Sequence, residues 1–334
     1  MEIILERLLN NETLSYREAK NVLGFITENK YNEAQIASFL TIYRQRGITI
    51  EELKGFRAAL LERCHQIDLS DFHPIDLCGT GGDGKNTFNI STASAFVVAG
   101  AGIKVAKHGN YGVSSKCGSS NVLEHLGIKF SNHQDFLERC IESAGICILH
   151  APLFHPAMKN VAGIRKNLAI KTLFNILGPL VNPSSPEKQL TGVYSLEVAR
   201  LYQYLFQEVL EHYTIIYDLE AYDEVSLIGS AKLLTERGEF LIDSHNFNVG
   251  HVVPLELYGG KTVKDAGDIL MDILKGKGTR SQENVVCANA GLAISTALST
   301  TFEEGFERAR EAIKNKRAFK TFKTLYDLCQ KWVS

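Results

Sequence analysis

The chain has 334 residues, too many for one small core and suited to two domains or one large α/β domain with an addition. Hydrophobic residues make up 45% and charged residues 22%, the balance of a soluble globular protein, and a formal net charge of -2 supplies no global field toward nucleic acid or membrane. The seven cysteines are odd in number and none are spaced C-x-x-C, so neither a disulfide framework nor a zinc site is suggested. The start, MEIILERLLNNETLS, is charged early and has no signal-peptide stretch, and no run approaches the roughly 20 apolar residues of a membrane span. A reducing cytoplasm is the expected location.

The first 70 residues hold no proline and read as helices. Ser15 precedes Glu18, Asn32 precedes Gln35 and Thr49 precedes Glu52, each at capping-box spacing. Ile36, Phe39, Leu40 and Tyr43 then recur at helical intervals, and Gly47 stands where that helix should stop. After Pro74 short β-rich runs alternate with helical ones. The spacing predicts strands at Ile75–Cys78, Ile103–Ala106, Ile146–Leu149, Gly192–Tyr194 and Thr214–Tyr217. It predicts helices at Ala93–Gly100, Ser119–Leu126, Gln134–Ser143 and Leu196–His212. Lys232–Phe247 reads as antiparallel strands around ERGEF, and helices dominate from Ala266 onward. The expected fold is α/β: a small all-helical domain plus a large domain with a mainly parallel sheet flanked by helices. The boundaries fall at 1–72 for the helical part, with a returning segment near 160–183 in the proline-punctuated stretch, and at 73–159 and 184–334 for the α/β part.

Gly79, Gly81 and Gly84 match the dinucleotide pattern G-x-G-x-x-G, but the flanks argue against a dinucleotide. The apolar helical run begins only at Ala93, and the second strand ends in Lys107 where an acid is needed for a ribose. The glycines read instead as a nest of backbone N–H groups around a phosphate, with Asn89, Ser91 and Thr92 at the start of the next helix. A structural turn with a helix cap is the competing reading. Lys107 to Ser115, with Ser119 beyond, forms a second phosphate-type loop on the neighbouring strand end. Two such loops call for a substrate with more than one phosphate. Asp223 and Glu224 follow the fifth strand and offer hard oxygens of the kind magnesium prefers, although an adjacent acidic pair also suits a solvated surface. Arg165 can clamp a carboxylate with two parallel hydrogen bonds, but as a single residue it is an ordinary surface charge.

GTGGDGKNTFNIST, KVAKHGN, VSSK, HPAMKNV, FNILGPLVNP and DEVS stand in the order that marks the anthranilate phosphoribosyltransferase family, which the chain resembles over most of its length. The resemblance implies a nucleoside phosphorylase/phosphoribosyltransferase-like fold, a homodimer through the small domains, and a role in tryptophan biosynthesis. The implied reaction moves phosphoribosyl from phosphoribosyl pyrophosphate (PRPP) to the amine of anthranilate, with Mg2+. Carried over by position, Gly79, Gly82 and Asp83 hold PRPP. Thr87 and the run Asn89, Ile90, Ser91 and Thr92 hold its phosphates. Lys107, His108, Gly109, Asn110, Tyr111, Gly112, Val113, Ser114 and Ser115, with Ser119, complete that site. Ser91, Asp223 and Glu224 match the metal residues, and Gly79, Asn110 and Arg165 the anthranilate contacts. The amine proton has no assigned acceptor: His108, water and the substrate's own carboxylate remain open. In two places the chain departs from the pattern. Tyr111-Gly112 stands where the family often reads Arg-Ser, and DLEAYDEVS lacks the usual glycine before the acidic pair. Two other functions fit related architectures, a pyrimidine nucleoside phosphorylase and a non-catalytic nucleic-acid-binding relative. The near-neutral charge and the retained Arg165, Asp223 and Glu224 speak against the second.

Overall fold

The computed structural model describes residues 1–112 and 117–332; Val113, Ser114 and Ser115 of the expected phosphate loop lie outside the described residues. The chain divides into two compact units, Met1–Gln66 with Ala151–Pro183, and Ile67–His150 with Ser184–Ser334. Composition placed the breaks near 72 and 160. The difference arises because Ile67–Pro74 already leads into the sheet and the chain leaves it directly after the third strand.

The helical unit opens with α1 (Glu2–Leu9), α2 (Tyr16–Thr27), α3 (Glu33–Arg46) and α4 (Ile50–Leu61). The three sequence signals close as reciprocal capping boxes at the starts of α2, α3 and α4. Phe39, Tyr43 and Phe56 pack edge to face in its core. Glu52 is fully buried there, yet amply paired. Its Oε1 accepts from the Leu14 amide (2.9 Å), the Tyr43 hydroxyl (2.9 Å) and Arg46 (2.7 Å). Its Oε2 accepts from the amide (2.9 Å) and hydroxyl (3.0 Å) of Thr49. Burial raises the pKa of Glu52, but these donors outweigh it and the net direction is down.

The α/β unit then begins with β1 (Ile75–Gly79), α5 (Ile90–Gly100), β2 (Val105–Gly109), α6 (Ser119–His125), α7 (Gln134–Ala144) and β3 (Ile146–His150). The chain next adds α8 (Ala151–Phe154), α9 (Lys159–Leu168) and α10 (Leu173–Leu177) to the helical unit. It resumes the sheet with β4 (Lys188–Gly192), α11 (Leu196–Val209), β5 (His212–Asp218), β6 (Ala231–Thr235) and β7 (Gly238–Ile242). It ends in α12 (Val263–Leu274), α13 (Arg280–Leu298), α14 (Phe302–Lys314) and α15 (Arg317–Lys331).

The sheet order is β3-β2-β1-β4-β5-β6-β7. The first five strands are parallel, and β6 and β7 turn back antiparallel around Glu236-Arg237. β2 and β3 extend the sheet on one side of β1, β4 and β5 on the other. The order therefore reverses between β1 and β4, which opens a crevice at the carboxyl ends of those strands. α5 is apolar all round and buried along nearly its whole length, packed against α13 and α15.

Three expected elements shift. α5 begins at Ile90, inside NIST, rather than at Ala93. β2 runs from Val105 to Gly109, through Lys107 and His108, whose backbones pair with Ile148 and Leu149 although their side chains read as loop. β4 is Lys188–Gly192, not Gly192–Tyr194. Its polar start concealed it, since Gln189 is buried and donates to the Cys78 sulfur at 3.6 Å.

Candidate functional site

The glycine loop after β1 turns on left-handed backbone. Gly81, Gly82 and Gly84 have φ of 63°, 75° and 77°, a region nearly closed to other residues. The following stretch is pinned by the Asn86–Gly259 segment pairing: Gly259 N–H donates to Asn86 O at 2.8 Å, and Phe88 N–H to Leu257 O at 2.9 Å. Thr87 forms an isolated bridge with Tyr258. Asn89 precedes α5, but its side chain does not cap the helix. It donates instead to Cys117 O at 3.1 Å, which ties the glycine loop to the end of the loop after β2. Among the described residues, the buried hydroxyls of Thr80 and Thr92 have no hydrogen-bond partner. Two idle hydroxyls beside a helix start favour an anion.

The acidic pair crosses the same edge. Gly79 and Gly192 are partners in the β1–β4 ladder. A Cβ on Gly79 would collide with the Asp223 carboxylate, and one on Gly192 with the Asp223 carbonyl. Two side-chain-free positions at the switch point therefore let this loop lie across the strand ends. Gly81 N–H donates to Asp223 Oδ2 at 2.6 Å. The Ser91 amide donates to the Glu224 carboxylate, which brings Ser91, Asp223 and Glu224 together. Burial first, and then the charge of Asp83, push Asp223 up to about 7. Burial and the neighbouring Asp223 and Asp83 push Glu224 well above its ordinary value, while Lys107 works against the rise. These are oxygen donors short of positive charge, a set that fits a hard divalent cation. Among the described residues no group of three or more His, Cys, Asp or Glu forms a closed metal cage. Magnesium suits such a partial set, because it uses one or two carboxylates and completes its shell with water and phosphate.

Lys107 does not project into the loop as expected from its place in the sequence. It is 2% exposed, and its Nζ donates to Leu77 O at 2.5 Å. Desolvation lowers its pKa, against the charges of Asp76, Cys78, Glu224 and Asp223. His108 is also buried, and its amide donates to Asp76 Oδ1 at 3.1 Å. Asn110 sits at the exposed strand end, its carbonyl accepting from the Ser119 hydroxyl (3.3 Å) and the Ser120 amide (3.1 Å). Tyr111 stands edge-on to His150, with its phenol 3.4 Å from the Glu124 carboxylate oxygens. Arg165 belongs to the helical unit, near the end of α9. It is half-buried with its guanidinium 5.4 Å from the Phe174 ring centroid, and burial lowers its pKa.

Four supporting residues carry no role that their sequence positions announce as a set. Asn121 Oδ1 accepts from Gly112 N–H and Gly118 N–H, each at 3.0 Å, drawing the two ends of one loop together. Asp218 accepts from the amides of Glu220 and Ser226, each at 2.9 Å, and shapes the acidic loop. Asn289 on α13 exchanges hydrogen bonds with the backbone of Val225 at 3.0 and 2.9 Å, fixing the residue after Glu224. Gly192 is the fourth. Only this glycine carried any sequence signal, as the first residue of the expected strand Gly192–Tyr194; the other three are polar residues without a motif of their own.

A helical unit in one chain with a mainly parallel sheet whose glycine loop meets an acidic pair at the switch point is the architecture of a sugar-phosphate-handling transferase class. Consistent with it, residues 3–64 match the model "Glycosyl transferase family, helical bundle domain" and residues 72–319 match "Glycosyl transferase family, a/b domain". Anthranilate phosphoribosyltransferase of Christiangramia forsetii is 57% identical over 330 residues, 99% of this chain and 100% of that protein. Its counterpart in Flavobacterium psychrophilum is 58% identical over 328 residues, 98% of this chain and 99% of that one. The chain belongs to the anthranilate phosphoribosyltransferase family. Among solved structures, the Thermus thermophilus enzyme matches with a TM-score of 0.91 at 27% identity, over 98% of this chain and 99% of that one. The Saccharomyces cerevisiae enzyme in complex with PRPP and Mg matches at 0.89 and 27%, over 98% and 97%.

Proposed function

We propose that this chain transfers the phosphoribosyl group of PRPP to the amine of anthranilate, releasing pyrophosphate, as a step of tryptophan biosynthesis. The observation that carries this reading is the switch-point edge itself. There the glycine loop at Gly81–Gly84 and the start of α5 meet a charge-poor carboxylate pair, the Gly81 amide on Asp223 and the Ser91 amide on Glu224. The two units act as a small helical domain and a large α/β domain.

In this reading Gly79, Gly82 and Asp83 hold the diphosphate, while the Thr80 and Gly81 amides stay engaged by Gly192 O and Asp223 Oδ2, and Thr87 and Asn89 to Thr92 take its remaining phosphate oxygens. The stretch from Lys107 to Ser115, with Ser119, is assigned to the rest of PRPP, and of it Val113, Ser114 and Ser115 lie outside the described residues. Lys107 acts through space from beneath the acidic pair, where its charge offsets part of the negative field. Asp223, Glu224 and the Ser91 hydroxyl would hold Mg2+, which when bound neutralises diphosphate charge. As the bond from the anomeric carbon to the diphosphate breaks, negative charge grows on the leaving group. Fixed N–H groups already aimed there stabilise it without reorganising. Arg165 grips the anthranilate carboxylate through its two-pronged guanidinium, and Gly79 and Asn110 contact the acceptor. Its aromatic amine is unprotonated at neutral pH and attacks as it is held, so positioning supplies much of the acceleration.

The family and two exposed apolar residues of α1, Ile3 (74% exposed) and Leu9 (66%), support a homodimer through the helical unit. Sedimentation at micromolar concentration tests it. A cytoplasmic location accords with biosynthesis, and among the described residues no single helix is long and apolar enough to cross a membrane. The decisive assay follows the loss of anthranilate fluorescence with PRPP and magnesium, with and without a chelator. Chelator-sensitive loss is expected. Phosphorolysis of thymidine or uridine without PRPP turnover would reverse the assignment.

A further inference from the structure

One departure from the family pattern, Tyr111 where an arginine is usual, leaves a charge question at this edge. Tyr111 carries no positive charge and rests against Glu124 and His150. The Lys107 ammonium is buried and committed to the Leu77 carbonyl. Besides the magnesium that the acidic pair would hold, a diphosphate arriving at the glycine loop gains from a side-chain cation that can reach it.

Lys85 stands on the glycine loop. It follows Gly84 directly, and its amide donates to Asp83 Oδ1 at 3.0 Å, which fixes where its side chain leaves the loop. Its Nζ lies 4.6 Å from the centroid of the Tyr222 ring. Tyr222 is buried and precedes Asp223, in a loop braced by Asp218 through the amides of Glu220 and Ser226. The ring is therefore a fixed platform. A carboxylate partner would neutralise an ammonium, whereas an aromatic face holds it and leaves its charge available to an anion. The Lys85 side chain is only half-buried, so an incoming anion can reach it. The same two loops are also joined by the hydrogen bond from Gly81 to Asp223, so the ammonium is carried on the frame that holds the glycine loop.

We propose that Lys85 is a further diphosphate-contacting residue of this site and that Tyr222 is the positioning residue that holds it there. This rests on the reading of the edge as a diphosphate site. Tyr222, directly before the acidic pair, then has a purpose, because it supplies the ring for a lysine on the opposite loop.

The test measures binding of inorganic pyrophosphate, in the presence of magnesium, to the full chain by titration calorimetry, alongside apparent affinities for PRPP and anthranilate. Lys85→Met removes the charge and keeps the length. It is expected to weaken pyrophosphate and PRPP roughly tenfold, the scale of one charge-assisted contact, and to leave anthranilate unchanged. Tyr222→Leu should reproduce most of that loss, and Tyr222→Phe, which keeps the ring, should restore binding to within about twofold. In the Lys85→Met background Tyr222→Leu should add nothing further, because a ring acting through the lysine has nothing left to hold. Pyrophosphate binding by Lys85→Met as tight as wild type overturns the proposal. So does an undiminished effect of Tyr222→Leu in that background, which would make the ring a packing residue. Failure of the unaltered chain to bind pyrophosphate at all would instead remove the diphosphate site, and this inference with it.

Discussion

Each unit buries a carboxylate, and the two burials have opposite characters. Glu52 in the helical unit receives five hydrogen bonds from backbone, hydroxyl and guanidinium donors and its pKa is lowered. Asp223 in the α/β unit receives the Gly81 amide, faces Asp83 and Glu224, and is pushed up to about 7. Burial alone does not mark a functional acid. A buried charge whose donors are supplied by its own fold is a structural joint, whereas one left short of positive charge stabilises the fold only when something else brings that charge.

The comparison breaks if the two acids respond alike to neutralisation. The largest effect is expected from Asp223→Asn with Glu224→Gln, which should lower turnover by about 10^3-fold or more at ordinary magnesium. The fold should keep its thermal stability, since two ill-compensated charges are removed. Wild-type activity in that variant would make the pair an ordinary acidic loop. Glu52→Ala should show the reverse pattern. It strands Arg46 and several donors in the core and should cost about 3–5 kcal/mol in urea unfolding, with turnover per folded molecule unchanged. A Glu52 variant of full stability would undo the structural half of the contrast.

Arg165→Ala sharpens the site half on a smaller scale. Loss of a bidentate contact should weaken apparent anthranilate affinity about tenfold, with PRPP affinity unchanged and Arg165→Lys recovering only part. Aniline, lacking the carboxylate, should distinguish the variant from wild type far less. Equal weakening toward both substrates would mean that Arg165 supports the fold instead.

The smallest effect is in pH dependence, and its sign separates the two acids. A carboxyl that rises from 3.8 to about 7 on folding binds its proton more tightly in the folded state. Its stabilisation is full below the unfolded value and is lost as pH rises toward 7. Without divalent cations, wild-type Tm should therefore fall more than that of Asp223→Asn between about pH 5 and 8, and saturating magnesium should close the gap. Glu52 has a lowered pKa, so its contribution is present above the ordinary carboxyl range and fades only in acid. Identical melting profiles for wild type and Asp223→Asn would show that the Asp223 carboxyl is not perturbed.

What the sequence determined by itself was local. Ser15 with Glu18, Asn32 with Gln35 and Thr49 with Glu52 are spaced to satisfy the first amides of a helix from within four residues, so the helix starts were legible and close as written. Alternating β-rich and helical runs announced a largely parallel sheet, and the motif order announced the family. The tertiary structure decided whatever depends on residues far apart in the chain. Thr49 and Glu52 read as a cap, but only the fold brings Leu14, Tyr43 and Arg46 to the same carboxylate. Lys107 read as a loop cation, but strand pairing with Ile148 turns it inward onto Leu77. Gly192 had no apparent role until the sheet order set it beside Gly79, beneath the loop that carries Asp223. Capping is a contest among neighbouring groups, which a short stretch of chain contains in full. Burial, field and close backbone approach are set by the partners that folding brings into contact, and no short stretch contains those.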